Sequence, residues 1–280
     1  MIDRPTTRDE LEHRIRNSSI EGSPEEMRAA FRSLFAPCPE IRTHPLGGVP
    51  CARFGEGPPL LWLHGGGLVL GGPDTHARAA GYVARTTGHQ IVLPDYPLAP
   101  KAPWPAQRDA CQAVLDALDG PVPVVGDSVG GQLALILALR RPNAVASLAL
   151  ISPNSDRSGQ STTRDRDTDL MNDGAGDTAF ARSAMGDLDP TDPEVSPLLA
   201  DLSGLPPTLI LAAGAEMLLD DSLLLARALA LRDVAVTLRV WPGLFHLWPL
   251  WPDILPEARD ALDAVAVHVT MGSPSSRAPV

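Results

Sequence analysis

Lysine is almost missing from this chain: Lys101 is the only one among 280 residues. Schiff-base chemistry and a Ser-x-x-Lys nucleophile therefore have almost nothing to draw on. Cysteine is nearly as scarce. Cys38, Cys51 and Cys111 are odd in number and lack paired or metal-type spacing, so they are expected to be small buried hydrophobes in a reduced, cytoplasmic setting. Aromatic residues make up only 4%, which shifts core packing onto Leu, Val, Ala and Ile. A basic surplus is absent too. With 23 Lys and Arg against 34 Asp and Glu, the formal charge is −11. That balance disfavours phosphate backbones and anionic membrane surfaces, leaving no nucleic-acid or membrane partner expected. The N-terminus, MIDRPTTRDELEHRIR, lacks the apolar run of a secretory signal or membrane anchor. The abundance of Arg, Ala and Pro beside so little Lys hints at a GC-rich bacterial coding sequence.

What is present is enough for one large core, since 280 residues with 44% hydrophobic content suit a single α/β domain with a lid. Residues 1–40 are expected to form an N-terminal helical lid segment. Its amphipathic helices run around Arg8 to Arg16 and Pro24 to Phe35, the second capped by Ser23 with Pro24 at its first position. Residues 41–271 are then the core. Short apolar runs read as strands at Leu60 to Leu63, Gln90 to Leu93, Val122 to Val125, Leu148 to Ile151, Thr208 to Ala212 and Val234 to Val240. Helix-compatible stretches alternate with them at Thr75 to Thr86, Trp104 to Leu118, Gly131 to Leu139, Asp221 to Leu231 and Glu257 to Val269. Such alternation predicts a mostly parallel sheet flanked by helices. The segment 154–197 breaks the rhythm and is expected as a lid insertion, and 272–280 as a disordered tail.

Gly126-Asp127-Ser128-Val129-Gly130 fits G-x-S-x-G between a strand and a helix, the context that motif needs. The turn is so tight that any side chain at Gly126 or Gly130 would collide with neighbouring backbone. It aims Ser128 at the helix N-terminus, where unpaired N–H groups favour developing negative charge. His64-Gly65-Gly66-Gly67 follows another strand candidate. Its bare backbone is expected to supply an oxyanion hole from the N–H groups of Gly65 and Gly66, joined by Val129. A phosphate-binding loop is the competing reading, but no G-x-x-x-x-G-K-[ST] accompanies it. His64 is expected to hold the loop by a hydrogen bond.

Together these motifs resemble the hormone-sensitive-lipase-like family of α/β-hydrolases, bacterial esterases with His-Gly-Gly-Gly and Gly-Asp-Ser-Ala-Gly-Gly. Similar stretches are Asp95-Tyr96-Pro97-Leu98-Ala99-Pro100, Pro103-Trp104-Pro105-Ala106, Ser196-Pro197-Leu198 and Leu205-Pro206-Pro207. The chain departs from the family's usual residues at Pro97 (Arg), Lys101 (Glu) and Val129 (Ala). His246, in Pro242-Gly243-Leu244-Phe245-His246 after the last strand, resembles the family's base and follows the order serine, acid, histidine. His13, His44, His76, His89 and His268 have no comparable placement. Glu216 stands where the family's Asp-Pro-Leu-x-Asp motif has its first Asp and is the expected acid, with Asp220 as the alternative. Asp220 and Asp221 fall in the first turn of the next helix, where a capping role suffices.

The resemblance implies a Ser-His-Glu carboxylesterase for small-molecule, short-acyl esters, without cofactor or metal. Amide, N-acetyl or lactone hydrolysis is the alternative, and a noncatalytic receptor on the same fold a third. Leu68, Met217 and Trp248 are candidate pocket residues, with Trp62 and Trp104 expected in the core.

Overall fold

A computed structural model describes residues 5–38 and 41–271. The expected tail, 272–280, lies outside the described residues. Eight strands form one sheet in the order β1-β2-β4-β3-β5-β6-β7-β8. The six expected strands are β3 (Pro59–Leu63), β4 (Gln90–Pro94), β5 (Val122–Asp127), β6 (Val145–Ile151), β7 (Thr208–Ala213) and β8 (Val236–Trp241). They pair in parallel throughout. The order reverses between β4 and β3, so helices cover both faces and the loops after the strand ends gather along one edge.

The sheet does not begin near Leu60, as the apolar runs suggested. β1 (Thr43–Leu46) and β2 (Val49–Phe54) form a hairpin whose second strand pairs antiparallel with β4. A signal was there. Gly47 and Gly48 both have positive φ, 58° and 81°, as a two-residue turn matching strand twist requires. Leu46 faces Val49 across it. The hairpin carries no apolar run because β1 is exposed along most of its length and contains Pro45, which an edge strand tolerates.

The N-terminal helices are α1 (Arg8–Arg16) and α2 (Pro24–Ser33). Both open on reciprocal caps, Thr7 with Glu10 and Ser23 with Glu26, satisfying amides that would otherwise lack partners. Leu11, Ile15, Phe31, Leu34 and Phe35 are buried, and Phe35 stacks on Trp251 at 4.9 Å between ring centres. Two arginines reach the loops at the sheet edge. Arg8 Nη2 donates to the Gly243 carbonyl at 2.8 Å. Arg28 donates to the carbonyls of Val69 (2.9 Å) and Ala99 (2.7 Å). Arg28→Ala should therefore cost about 1.5–3 kcal/mol, the usual value of a hydrogen bond to a charged group, read as a lower Tm. Deleting residues 1–36 should expose the pocket and change substrate preference. If the truncated chain keeps both stability and preference, these helices are no lid.

The remaining helices are α3 (Pro73–Thr87), α4 (Ala106–Asp116), α5 (Val129–Arg140), α6 (Gly174–Met185), α7 (Leu219–Ala230) and α8 (Pro256–Met271). α5 is buried from Val129 to Ala138 and apolar there except for Gln132, which donates to the Glu194 carbonyl at 2.8 Å, as suits a helix wedged against the sheet centre. α6 gives the 154–197 segment a helix that its composition did not announce. No helix among the described residues is long and apolar enough to cross a membrane.

Candidate active site

β5 is buried at every residue and delivers Ser128 to the start of α5 with φ 56° and ψ −123°. That strained backbone holds because the surroundings overdetermine it. A Cβ at Gly126 would lie 2.3 Å from the Gly130 carbonyl oxygen, and one at Gly130 2.0 Å from that of Leu63. Both glycines are thus obligatory, as the motif predicted.

The loop after β3 is held from beneath. His64 stacks on Tyr96 at 4.0 Å, its Nδ1 lies 2.8 Å from the Gly65 carbonyl, and Tyr96 donates to the His64 carbonyl at 2.7 Å. Burial, aided by nearby His76, pushes the His64 pKa down to about 3, so this ring is a neutral brace. Asp127, beside the serine, was a motif letter with no assigned task. Its Oδ2 accepts the Gly65 N–H at 2.8 Å and sits 3.0 Å from His76 Nε2, while Oδ1 accepts the Trp62 indole N–H at 2.9 Å. Burial raises the Asp127 pKa, but the His76 imidazole and the Trp62 hydrogen bond outweigh it and hold the carboxyl below its ordinary value. His76, dismissed on sequence, is therefore a buried partner of the serine turn. Only tertiary structure could reveal it, because α3 and β5 meet across 51 residues of chain.

This carboxylate corrects the expected oxyanion hole. The Gly65 N–H points at Asp127 and is not available to a substrate. Gly65 is needed for another reason: a Cβ there would lie 2.4 Å from Asp127 Oδ2 and 3.0 Å from Ser128 Cβ. The loop's internal bonds run from Val69 and Leu70 to the Gly66 carbonyl. The N–H groups of Gly66 and Gly67 find no acceptor among the described residues, and Val129 opens α5, where helix amides are unpaired.

His246 Nδ1 lies 2.9 Å from Glu216 Oε2. The other Glu216 oxygen accepts the Ala213 N–H at 2.9 Å, so the extra methylene relative to Asp folds back onto the turn after β7. Burial opposes the charge on His246, yet the Glu216 hydrogen bond and charge prevail, with Asp169 and Asp127 adding to them, and its pKa sits above the usual imidazole value. Burial likewise lifts Glu216, which the imidazole pulls back. His246 and Ser128 are 3% and 7% exposed, so the constellation is nearly closed from water.

The alternative acid is elsewhere. Asp220 Oδ2 accepts both N–H and hydroxyl of Thr162 at 2.7 Å. Asp221, wholly buried, accepts the N–H groups of Ser155 and Asp156 and pairs with Arg164. Both start α7 as expected, but their task is to tie residues 155–164 down, more than a cap.

Leu68, Met217 and Trp248 are all buried, at 1%, 1% and 0% exposure. Leu68 lies in the glycine loop with φ 63°, and Met217 directly follows Glu216. Trp248 is core: its ring packs on Trp241 at 5.4 Å and its short turn abuts α3 and α8. Trp62 is core, as expected; Trp104 is only partly buried and packs against the core. A residue sequence reading missed is Phe180 of α6, whose ring would be 2.9 Å from a Cβ at Gly67 and therefore covers the glycine loop.

Comparison with known proteins bears on the fold and the family. A family profile describing the alpha/beta hydrolase fold matches residues 60–250. An esterase of Acinetobacter venetianus is 35% identical over 224 residues, 75% of this chain and 74% of the relative. An acetyl-hydrolase of Streptomyces hygroscopicus is 33% identical, covering 76% of each chain. A crystal structure of an esterase from the bacterial hormone-sensitive lipase family superposes with a TM-score of 0.85 at 27% identity, covering 94% of this chain and 97% of that one.

Proposed function

The chain belongs to the α/β-hydrolase family, in its hormone-sensitive-lipase-like branch, and from that premise we propose that it is a serine carboxylesterase acting on short-acyl esters through Ser128, His246 and Glu216. The observation that carries this is the buried 2.9 Å contact between His246 Nδ1 and Glu216, because it fixes the tautomer whose Nε2 is free to accept a proton. Ser128 attacks the acyl carbon as His246 takes its proton. The N–H groups of Gly66, Gly67 and Val129 hold the oxyanion; losing one such donor typically costs about 3 kcal/mol. His246 then protonates the leaving alcohol, and water, deprotonated by the same ring, releases the acid from the acyl-enzyme. Phe180 over the glycine loop favours a small acyl group.

Labelling with an organophosphonate should modify Ser128, and turnover of an acetate ester should exceed that of the matched acetamide and lactone. No labelling would leave a noncatalytic receptor, and faster amide or lactone turnover would change the bond assigned. The pH profile is fixed in sign. The base must be neutral, and its pKa is raised from 6.5. The acid limb of kcat/KM should accordingly fall above pH 6.5, with activity lost as pH drops through it. A limb below 6.5 would contradict a Glu216-paired base.

A further inference from the structure

Between β6 and α6 the chain runs beside the loop that carries Glu216. Thr163 donates its hydroxyl to the Met217 carbonyl at 2.7 Å and Thr168 to that of Ala215 at 2.8 Å. Asp169 closes this run. Its carboxylate accepts three backbone N–H groups: Oδ1 from Met171 at 3.1 Å and His246 at 3.2 Å, Oδ2 from Met217 at 3.1 Å. Met217 is the residue after Glu216. A single side chain thus holds the backbone of the base and the backbone next to the acid, which arrive on separate loops after β8 and β7.

We propose that Asp169 is a positioning residue for the hydrolysis, setting the separation of the Glu216 and His246 loops and placing a negative charge beside the imidazole. This rests on the triad reading above. Three N–H donors on one carboxylate cannot be matched by an amide, whose NH2 would face one of them. The charge acts among a defined set of neighbours. Glu216 is bonded to the ring and Asp127 approaches from β5. Asp177 approaches from α6, paired with Arg157 and Arg164. Arg8 from α1 meets the His246 loop at Gly243. Asp169 is among the groups raising the His246 pKa, so removing its charge lowers that pKa.

Asp169→Asn, Asp169→Glu and the control Asp167→Asn, which removes an exposed charge two residues away, separate the two effects. Asp169→Asn should cut kcat by about 10- to 100-fold, the range for misplaced catalytic geometry, with a smaller change in KM. Its acid limb of kcat/KM should move to lower pH. Asp169→Glu keeps the charge and displaces it, so kcat should fall while the limb stays. Asp167→Asn should leave both alone. Circular dichroism reports folding; if Asp169→Asn does not fold, the Glu variant decides alone, and wild-type kcat there overturns the proposal. An unshifted limb in folded Asp169→Asn, with Ser128 of the wild type labelled normally, overturns this inference and spares the triad. Absence of labelling in the wild type overturns both.

Discussion

Ser128→Ala is expected to lose ester turnover by roughly a million-fold, the scale on which nucleophile removal acts when triad members work as a unit, while Tm barely changes. The hydroxyl makes no packing contribution that alanine lacks, and the backbone around it is fixed by other bonds. The Ser128 N–H goes to Ile151 at 2.9 Å, and its carbonyl accepts from Gly131 and Asn154 at 3.0 Å each. Alanine must still adopt φ 56°, but serine already bears that strain. His246→Ala should be about as damaging, and the double variant no worse than either single one. Near-normal turnover in Ser128→Ala, measured on an acetate ester with active-site titration to exclude wild-type carry-over, would remove the central assignment.

Glu216→Gln is expected to cost about 10⁴-fold in kcat, as amide replacement of a triad acid does where geometry is kept. The structure gives the reason. The Ala213 N–H requires an acceptor, so the glutamine oxygen turns to it and the NH2 faces His246 Nδ1. That nitrogen must then accept, and the ring proton moves to Nε2, where the serine proton has to go. Asp220→Asn should leave kcat within a small factor, since its carboxylate serves Thr162 and the ring is held by Glu216. Loss of part of that contact costs about 1 kcal/mol, read in Tm. A severe Asp220→Asn defect beside an active Glu216→Gln enzyme would transfer the acid role.

The mostly parallel sheet and the sharp turn that carries Ser128 were legible in the sequence itself, whereas His246 and Glu216 came forward through the resemblance, with Asp220 left as the other candidate acid. The sheet and the serine turn rest on local constraints, apolar runs of strand length and glycines that no other residue can replace at a sharp turn, while a histidine and several carboxylates after strands are told apart only by the motif they resemble. The order of these elements along the chain then places them at one edge. Tertiary structure alone decided which backbone amides remain for an oxyanion. Asp127 takes the Gly65 N–H, and that depends on where β5 and the glycine loop meet in space. It also decided that His76 meets the carboxylate beside Ser128, that Asp169 bonds the backbones of His246 and Met217, and that Trp248 lies in the core. Nothing near these residues in the chain distinguishes them, because a hydrogen bond or a packing contact between distant segments is set by how helices and loops fold over the sheet and carries no local periodicity to read.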